Sequence, residues 1–444
     1  MSDSSTESDH LCVLVHGLWG NPSHLDYVAS ALRERHEDDI HILCAKENSG
    51  NWTYDGIELG GERLAHEIEE TLEVLNKKGQ KIQKLSIVGY SLGGLIARYA
   101  IGLLHNQGVL DKLEPLNFTT FASPHVGVRT PLKGFRSHIW NGLGARTISM
   151  SGQQLFLIDE FRDTGRPLLS VLADPESIFI QGLKKFRHRS VYANIVNDRS
   201  VVFYTSALSK VDLFHDLENI NINYVKGYDN VIIDRDNYLL PLISEDPHGG
   251  SSRIWKQCKS FVSGLPFYLL LLILIGPAST IFLANSVVQT VRSRKRIRLH
   301  GEGKNGKLFG RYRVPLLVQD VQHAMEEVFE NVNARQEPAY LSGSEAEETG
   351  LSKRHASILK SDGADEYDVS DVSAEGSSNF PTLALMPEQF AIIDSLNAVG
   401  FHKYPVHIQK HRHSHAAIIV RMPKESFTEG KTVMKHWLDN EFVV

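Results

Sequence analysis

The sequence predicts an α/β fold with a mostly parallel sheet and helices on both of its faces. Short buried strands alternate with amphipathic helices from Leu11 onward, which is the pattern of an open, mostly parallel sheet. One of the strands also runs straight into a small-residue turn and a helix, over residues 84–104. In such sheets ligands and catalytic groups collect at the carboxyl ends of the strands, so the residues there are the first candidates for a functional site.

Individual elements are predicted from periodicity and from turn signals. The predicted strands are Leu11–His16, Asp39–Ala45, Lys84–Tyr90, Phe118–Ala122 and Val191–Val196, with one more near Val406. The predicted helices are Gly61–Lys77, a helix from the turn after Ser91 through Leu104, Pro387–Val399 and a last helix from Lys431. Residues 123–190 are interpreted either as a cap over the site or as extra helices packed on the sheet.

The composition is that of a globular chain with a small acidic excess. The 444 residues include 47 Lys and Arg against 53 Asp and Glu, a formal charge of −6, and 42% are apolar. This balance argues against general nucleic-acid binding, and neither a Cys/His zinc spacing nor a Walker-type loop is present. We therefore expect neither a metal nor a cofactor.

The three cysteines indicate a reducing compartment. Cys12, Cys44 and Cys258 are an odd number, widely spaced, and most of them lie in apolar runs. This arrangement predicts reduced thiols and a globular part that faces the cytosol. The polar, acidic N-terminus also lacks the basic start and apolar stretch of a secretory signal.

The strongest chemical motif is G-x-S-x-G at residues 89–93. It lies between a predicted strand and a predicted helix, where a nucleophilic serine has to project from a tight turn. Small residues at positions 89 and 93 let neighbouring backbone approach, and the helix N-terminus faces the developing negative charge. We predict Ser91 as the nucleophile; the alternative is a strand-to-helix connection with an inert serine.

A second motif, residues 16–20, directly follows the first predicted strand. In hydrolases of this fold, such a loop offers a backbone N–H to the oxyanion, and the second N–H comes from the residue after the nucleophile. The predicted donors are therefore the N–H groups near Leu18 and of Leu92. His16 is expected to position the loop, and His16 and Trp19 are candidates for lining the site.

A serine nucleophile in this fold works with an acid that follows it in the sequence, at the carboxyl end of a later strand. Asp198 follows the predicted strand Val191–Val196 and is the predicted acid. The alternative is an aspartate that only stabilises its turn, and Asp212 and Asp216 are weaker candidates in a polar stretch. His125 follows the first predicted strand after the turn at Ser91. We interpret it mainly as structural, with substrate contact as the alternative.

The base is harder to assign because the sequence contains 21 histidines. His415 is predicted because it precedes the apolar run 416–420 after the last predicted strand, where the base of such a triad belongs. His248 is the alternative base. The alternation of His411, His413 and His415 would fit a metal site, although no nearby Cys or carboxylate completes one.

Residues 261–291 are predicted to enter a membrane, as a hairpin or a transmembrane segment. Leu265–Val288 is a stretch of 24 uncharged residues, long enough for a hydrocarbon core of about 30 Å, and it is broken at Gly276-Pro277. A buried helix of a soluble domain is the alternative. The expected organisation is a disordered N-terminus 1–9, the first part of the α/β domain 10–255, a basic juxtamembrane segment 292–313, a disordered acidic insert 341–380 and the C-terminal part of the α/β domain 381–444.

Taken together, four motifs resemble a known family. Residues 16–20, 89–94, 123–127 and 415–419 look like the serine esterases and lipases with an α/β-hydrolase fold, among them fungal lipid-droplet phospholipases. The resemblance covers about residues 10–235 and 380–440. It implies an α/β-hydrolase fold, hydrolysis of lipid esters, and a triad of Ser91, Asp198 and His415. Tyr90 stands where many members have His, which we expect to matter little because that side chain should point away from the reacting carbonyl.

The order of these residues restricts the membrane topology. A single span at residues 261–291 would separate Ser91 and Asp198 from His415, whereas a hairpin keeps both flanks on one face and also suits a lipid monolayer. If His248 were the base, a single span would be admissible.

The expected function is a membrane-associated serine hydrolase that cleaves acyl esters of glycerolipids, glycerophospholipids above all. Its expected place is the lipid droplet or the endoplasmic reticulum, with the catalytic domain cytosolic. The alternatives are a protein or acyl thioesterase and a non-catalytic membrane scaffold.

Overall fold

The computed structural model describes residues 8–129, 149–217, 219–240, 287–299, 339–341 and 381–444. Several predictions lie outside these ranges: most of the apolar segment 261–291, the basic segment beyond residue 299, the insert at 342–380 and His248. Within the described ranges, no helix has both the length and the hydropathy required to cross a membrane.

The centre of the fold is a six-stranded sheet. Its strands are β1 His10–Val15, β2 Ile40–Cys44, β3 Lys84–Tyr90, β4 Glu114–Phe121, β5 His188–Asn194 and β8 His402–Val406. Every neighbouring pair in the sheet is parallel, and the order is β2-β1-β3-β4-β5-β8. A small antiparallel pair, β6 Asn221–Ile222 and β7 Leu239–Leu240, stands apart from this sheet.

Helices cover both faces of the sheet. The longer helices are α1 Asp26–His36, α2 Ile57–Lys77, α3 Leu92–Asn106, α9 Pro387–Asn397 and α11 Thr428–Asn440. The shorter ones are α4 Ser149–Leu155, α5 Leu168–Leu172, α6 Ile178–Lys184, α7 Phe203–Ser206 and α10 Ser414–Ala417, with 3₁₀ turns at Pro22–Leu25, Glu37–Asp39, Gly50–Asp55 and Glu425–Phe427. Residues 287–299 are also helical and are called α8 here.

Alternation along β1 explains why both faces are covered. Val13 packs into the core formed with α2 and α3, whereas Cys12 and Leu14 pack into the core formed with α1 and α11. Successive side chains of a strand point to opposite faces, so a fully apolar strand has to be buried on both sides. The predicted α/β fold with a mostly parallel sheet is confirmed.

The strand order places a crevice next to β3. The chain passes from β1 outward to β2 and then returns to the other side of β1 to form β3. The loops that follow β1 and β3 therefore diverge at a topological switch point, where ligands bind in open α/β sheets. Residues 16–20 directly follow β1, and residues 89–93 span the end of β3 and the start of α3.

Several element bounds differ from the prediction. Strand β5 begins at His188, three residues earlier than expected, because residues 188–190 pair with β4 although they are polar. Helix α2 begins at Ile57, before the predicted Gly61, directly after Gly56 with φ 96°. Pairing with β4 sets the start of β5, whereas side chains of α4 accept the backbone N–H groups of Gly56 and Ile57 at the start of α2.

The described part of residues 123–190 contributes helices that pack on the body of the domain. Helix α6 lies against α3, where Gly102 leaves room for the ring of Phe179: a Cβ at position 102 would lie 2.2 Å from that ring. This contact agrees with the interpretation of residues 123–190 as extra helices packed on the domain. The interpretation as a moving cap stays a prediction, since residues 130–148 lie outside the described part.

Neither of the two described cysteines forms a disulfide. Cys12 is buried in β1 and Cys44 is half-buried at the end of β2. Burial raises the pKa of both thiols, so both are protonated near neutral pH. Cys258 lies outside the described residues.

Candidate active site

Ser91 occupies a strained turn between β3 and α3. Its backbone has φ 54° and ψ −128°, a conformation that a residue with a side chain rarely adopts. Neighbouring glycines permit the turn: a Cβ at Gly93 would lie 2.2 Å from the Val15 carbonyl oxygen, and one at Gly94 would lie 2.2 Å from Ser123 Oγ. This geometry lifts the serine side chain above the carboxyl edge of the sheet.

The loop after β1 lies directly against the serine. A Cβ at Gly17 would lie 2.7 Å from Ser91 Cβ, so only glycine allows this approach. Within the described residues, neither the backbone N–H of Leu18 nor that of Leu92 donates a hydrogen bond to the protein. Leu92 is also the first residue of α3, where the helix dipole favours negative charge. The two N–H groups are thus available to an oxyanion beside Ser91.

Asp198 is fixed by four hydrogen bonds in the loop after β5. Its Oδ1 accepts the backbone N–H groups of Ser200 at 3.1 Å and Val201 at 2.7 Å, and its Oδ2 accepts the Asn194 amide at 2.9 Å. The remaining bond to Oδ2 comes from His415 Nδ1 at 3.0 Å. A carboxylate held in this way orients the imidazole and stabilises its protonated form.

His415 connects Asp198 with Ser91. Its Nε2 lies 3.0 Å from Ser91 Oγ, while its Nδ1 faces Asp198. Because the carboxylate accepts the Nδ1 proton, Nε2 is left as the acceptor for the serine hydroxyl. The structure therefore brings together the three side chains that the sequence predicted from separate motifs.

A cleft opens above Ser91. It is lined mainly by apolar side chains: Leu18, Trp19, Tyr90, Leu92, Pro124, Val128, Leu155 and Val201, with Ser91, Ser200, His415 and Arg421 as its polar members. Such a lining suits an acyl chain with its ester carbonyl at the polar end. Trp19 thus lines the cleft as predicted, and Arg421, Ser200 and Val201 are lining residues that sequence reasoning missed.

His16 and His125, which were candidates for lining the site, are not among the residues that line this cleft, and their positions agree with the structural roles expected for them. His16 is buried below its loop, where its Nδ1 donates to the Gly17 carbonyl at 3.0 Å; burial lowers its pKa to about 4. His125 is fully buried, with Nε2 2.8 Å from Thr120 Oγ1. Burial and the nearby Arg98 guanidinium lower the pKa of His125 well below its usual range. Both rings are neutral at pH 7 and shape the loops behind the site.

The two alternative acids, Asp212 and Asp216, form hydrogen bonds with residues outside the candidate site. Asp212 accepts a hydrogen bond from Tyr340 at 2.9 Å, and Asp216 accepts one from Asn219 at 2.6 Å. The ring nitrogens of His415 face Asp198 and Ser91, so this residue is turned away from a shared ion with His411 and His413. In the described part of the chain no cluster of His, Cys, Asp or Glu could hold a metal ion.

Tyr90 has a larger part in the geometry than we expected. Its hydroxyl donates to the carbonyl oxygen of His415 at 3.0 Å, and its ring packs against the imidazole with the centroids 5.0 Å apart. These contacts connect Tyr90 to the candidate base, and the expectation that Tyr90 matters little for turnover stays a prediction. The signal was its place directly before Ser91, but its partner is 325 positions away in the sequence.

A strained serine between a parallel strand and a helix, with a histidine and an aspartate in series, is the arrangement of α/β-hydrolases. Residues 5–210 match the model of a family described as "Putative serine esterase (DUF676)". The predicted resemblance to serine esterases and lipases is confirmed.

Curated relatives agree with this match. The chain is 35% identical over 217 residues to "Putative lipase ROG1" of Saccharomyces cerevisiae, which covers 48% of this chain and 30% of that protein. It is 29% identical over 214 residues to "Putative lipase C4A8.10" of Schizosaccharomyces pombe, covering 47% of this chain and 27% of that protein. The match thus spans less than a third of the length of either relative.

Two solved structures align with part of the chain. A lipase-esterase related protein from Clostridium acetobutylicum aligns with a TM-score of 0.24 at 16% identity, covering 46% of this chain and 81% of that one. An extracellular α/β-hydrolase from a Paenibacillus species aligns with a TM-score of 0.19 at 16% identity, covering 28% and 43%. These scores are low, and the α/β-hydrolase-like fold is assigned here from the strand order and the turn at Ser91.

Proposed function

We propose that this protein is a membrane-attached serine hydrolase that cleaves acyl esters of glycerolipids, with glycerophospholipids as its main substrates. The observation that carries the proposal is the position of His415, 3.0 Å from both Ser91 Oγ and Asp198 Oδ2. Nucleophile, base and orienting acid are thus in hydrogen-bond reach before any substrate binds.

The reaction begins with attack of Ser91 Oγ on the acyl carbonyl carbon. His415 Nε2 takes the hydroxyl proton, and Asp198 stabilises the imidazolium that forms. The carbonyl oxygen becomes an oxyanion, which is bound by the N–H group of Leu18 in the loop after β1 and by that of Leu92 at the start of α3. Side chains and backbone of this chain supply every group that the step requires.

Collapse of the tetrahedral intermediate breaks the ester C–O bond. The proton on His415 passes to the leaving alcohol oxygen, so that the glycerol part departs as an alcohol and the acyl group stays on Ser91. A water molecule then attacks the acyl-enzyme, with His415 again accepting and returning a proton. The products are a fatty acid and the deacylated lipid.

The apolar lining of the cleft supports a lipid substrate. Leu18, Trp19, Val128 and Leu155 surround the serine, and a long acyl chain would bury its methylenes against them. The names of the curated relatives also point to lipases. Glycerophospholipids are proposed because a bilayer or monolayer surface presents them at high local concentration to an attached enzyme.

The same geometry supports a hairpin attachment. Asp198 precedes the apolar stretch Leu265–Val288 in the sequence and His415 follows it, yet the two side chains are 3.0 Å apart. An inserted stretch therefore has to return to the face it left. We propose a hairpin or re-entrant attachment to the endoplasmic reticulum or to a lipid-droplet monolayer, with the hydrolase domain in the cytosol.

Fatty-acid release from mixed micelles of phospholipid and triacylglycerol tests the proposal. The purified chain should release fatty acid, and Ser91→Ala, Asp198→Asn and His415→Ala should each abolish most of it. A fluorophosphonate should label the unmodified chain and not Ser91→Ala. An inactive but correctly folded chain that resists the fluorophosphonate would support a scaffold, and preference for an S-acylated peptide over lipid would indicate a thioesterase.

The attachment is tested separately. A glycosylation acceptor site appended after Val444 should stay unmodified in microsomes if the chain returns to the cytosolic face. Modification of that site would contradict the hairpin.

A further inference from the structure

Helix α8 begins in the last two residues of the apolar stretch Leu265–Val288 and has two unlike sides. Its described residues, 287–299, include five basic residues and no acidic one. Gln289, Ser293 and Arg296 are buried, with spacings of four and three residues that place them on one side of the helix. The sequence alone predicted a basic segment along the membrane, without a side that packs on the hydrolase domain.

The buried side is fastened through Arg296. Its Nε lies 2.9 and 2.8 Å from the two carboxylate oxygens of Asp55, and its Nη2 donates to the Asn51 carbonyl at 3.2 Å. The guanidinium also lies 5.0 Å from the centre of the Trp52 ring, in cation–π range. One turn earlier, Ser293 Oγ donates to the Tyr54 carbonyl at 3.3 Å.

Asp55 also binds a second cation that belongs to the hydrolase domain. Arg63 of α2 donates to its Oδ2 at 2.6 Å and lies 4.8 Å from the same Trp52 ring. The Asp55 side chain has no exposed surface. A buried carboxylate needs a partner, and Arg63 supplies one within the domain; the additional bidentate contact from Arg296 holds α8.

The turn that receives α8 also supports the mouth of the active site. Within Gly50–Asp55, Thr53 Oγ1 accepts the backbone N–H of Trp19 at 3.0 Å, and the Tyr54 ring lies 6.4 Å from the Trp19 ring. Trp19 lines the cleft beside Ser91. Helix α8 is thus one layer of residues behind the cleft wall.

The outer side of α8 is apolar in its first turns and basic in its later ones. Val287 and Val291 are 64% and 62% exposed, the two most exposed large apolar residues in the described part of the chain. Arg294, Lys295 and Arg298 follow on the same side and are also outside the core. Apolar residues near the acyl boundary with basic residues beside them match a phospholipid surface with anionic head groups.

We propose that α8 is a lipid-contact helix that the Arg296–Asp55 pair fixes to the hydrolase domain, so that an anionic phospholipid surface bound by its outer side is held at the mouth of the active site. The coupling to hydrolysis rests on the proposed function. The lipid contact itself does not, because it requires no catalysis.

Contact with lipid is measured in the full chain carrying Ser91→Ala and bound to vesicles of phosphatidylcholine with phosphatidylglycerol. An environment-sensitive dye on Val291→Cys should shift to the blue and be quenched by lipids that carry a quencher in the head group. A matched dye on Val74→Cys, an exposed residue of α2, should report water. A water-exposed dye at position 291 in the vesicle-bound chain would overturn the proposal.

The charge of the outer side is tested by replacing Arg294, Lys295 and Arg298 with Gln together. Hydrolysis on anionic vesicles should fall by about 100-fold relative to neutral phosphatidylcholine vesicles, because each basic side chain attracts anionic lipid. An unchanged ratio between anionic and neutral vesicles would contradict the anionic surface as partner.

The role of the Arg296–Asp55 pair is tested with Arg296→Gln, and Arg63→Gln is the matched control. Both variants remove one guanidinium from Asp55 and Trp52, but only Arg296→Gln releases α8. The ratio of vesicle hydrolysis to hydrolysis of a soluble short-chain ester should fall about tenfold in Arg296→Gln and stay unchanged in Arg63→Gln. An equal ratio in the two variants would refute the role of the Arg296–Asp55 pair. An unmodified chain that does not hydrolyse the soluble ester would refute the proposed function instead.

Discussion

The nucleophile and the base of the candidate site belong to regions that are built in different ways. Residues 84–106 contain β3, the turn at Ser91 and α3 without interruption, so neighbours in sequence set the geometry of the serine. His415 lies 324 positions from Ser91 and 217 from Asp198. A nucleophile turn can therefore be recognised from its own residues. A base is recognised with certainty only when the tertiary structure shows its distant partners.

Close packing of glycines maintains both regions. In the first, Gly93 approaches the Val15 carbonyl and makes room for the turn. In the second, Gly430 of α11 allows contact with α10, which carries His415: a Cβ at position 430 would lie 1.9 Å from the Ala417 carbonyl oxygen. The packing of α11 is therefore part of what positions the base.

The largest expected effect is the loss of activity when the side chain of Ser91 or of His415 is removed. Ser91→Ala and His415→Ala should each lower kcat by about 10⁶, and the double variant should be no slower than either single one because the groups act as a unit. Turnover of a soluble ester at high enzyme concentration measures all three variants. Additive losses would show that His415 acts apart from Ser91.

Asp198→Asn should have the next largest effect, a decrease in kcat of about 10⁴. The Asn carbonyl oxygen still accepts the N–H groups of Ser200 and Val201, so the loop should keep its conformation. Its amide would face His415 Nδ1 and favour the wrong tautomer. If kcat stays within tenfold of the unmodified chain, the acid is another residue.

Acid should weaken the packing around β1 more than the packing around α11. Burial lowers the pKa of His10 and His16, in or next to β1, and of His436 on α11 to about 4. A folded-state pKa below the unfolded value gives stability that is present above pH 6.5 and is lost as pH falls towards 4. The three groups predict a loss of roughly 4 kcal/mol between pH 7.5 and 5.5.

Urea unfolding at both pH values measures this loss. Hydrogen exchange should show β1 opening before α11, since two of the three histidines are in or next to β1. Stability that does not change between the two pH values would contradict the burial of these rings as neutral groups.

Gly430→Ala tests how strongly α11 holds the base. Moving α11 away from α10 should displace His415 by a few tenths of an ångström or more and lower kcat by about 10- to 100-fold. Gly79→Ala is the control, because Gly79 has φ 88° and no atom near its Cβ position, so only local strain results. Equal kcat in the two variants would indicate that α10 is held independently of α11.

The smallest effect is expected for the contact that joins the two regions. Tyr90→Phe keeps the ring on His415 and removes the hydrogen bond to its carbonyl, which should cost about 1 kcal/mol of stability and lower kcat by about fivefold. Tyr192→Phe removes another buried hydroxyl, 2.9 Å from His436 Nδ1, and should cost similar stability with kcat unchanged. A kcat decrease shared by both variants would mean that Tyr90 has only a structural part.

Much of the fold was predictable, and the reason differs between elements. Strand β3 and helix α3 were predicted because a buried apolar run and a small-residue turn determine local conformation. The polar start of β5 was not, since residues 188–190 are in a strand only through pairing with β4. The contribution of Tyr90 was also missed, because its partner comes from the other end of the chain.

The amino-acid sequence by itself determined the parallel sheet, the turn that presents Ser91 and the identity of the three candidate triad residues. Periodicity and small residues act over a few positions, so these features can be recognised from their own residues. Only the tertiary structure decided that Tyr90 packs on His415, that His125 is turned into the core, and that Arg296 alone among the basic residues of α8 meets a buried Asp55. Burial and partner distance depend on chain segments far apart in sequence, and no local pattern records them.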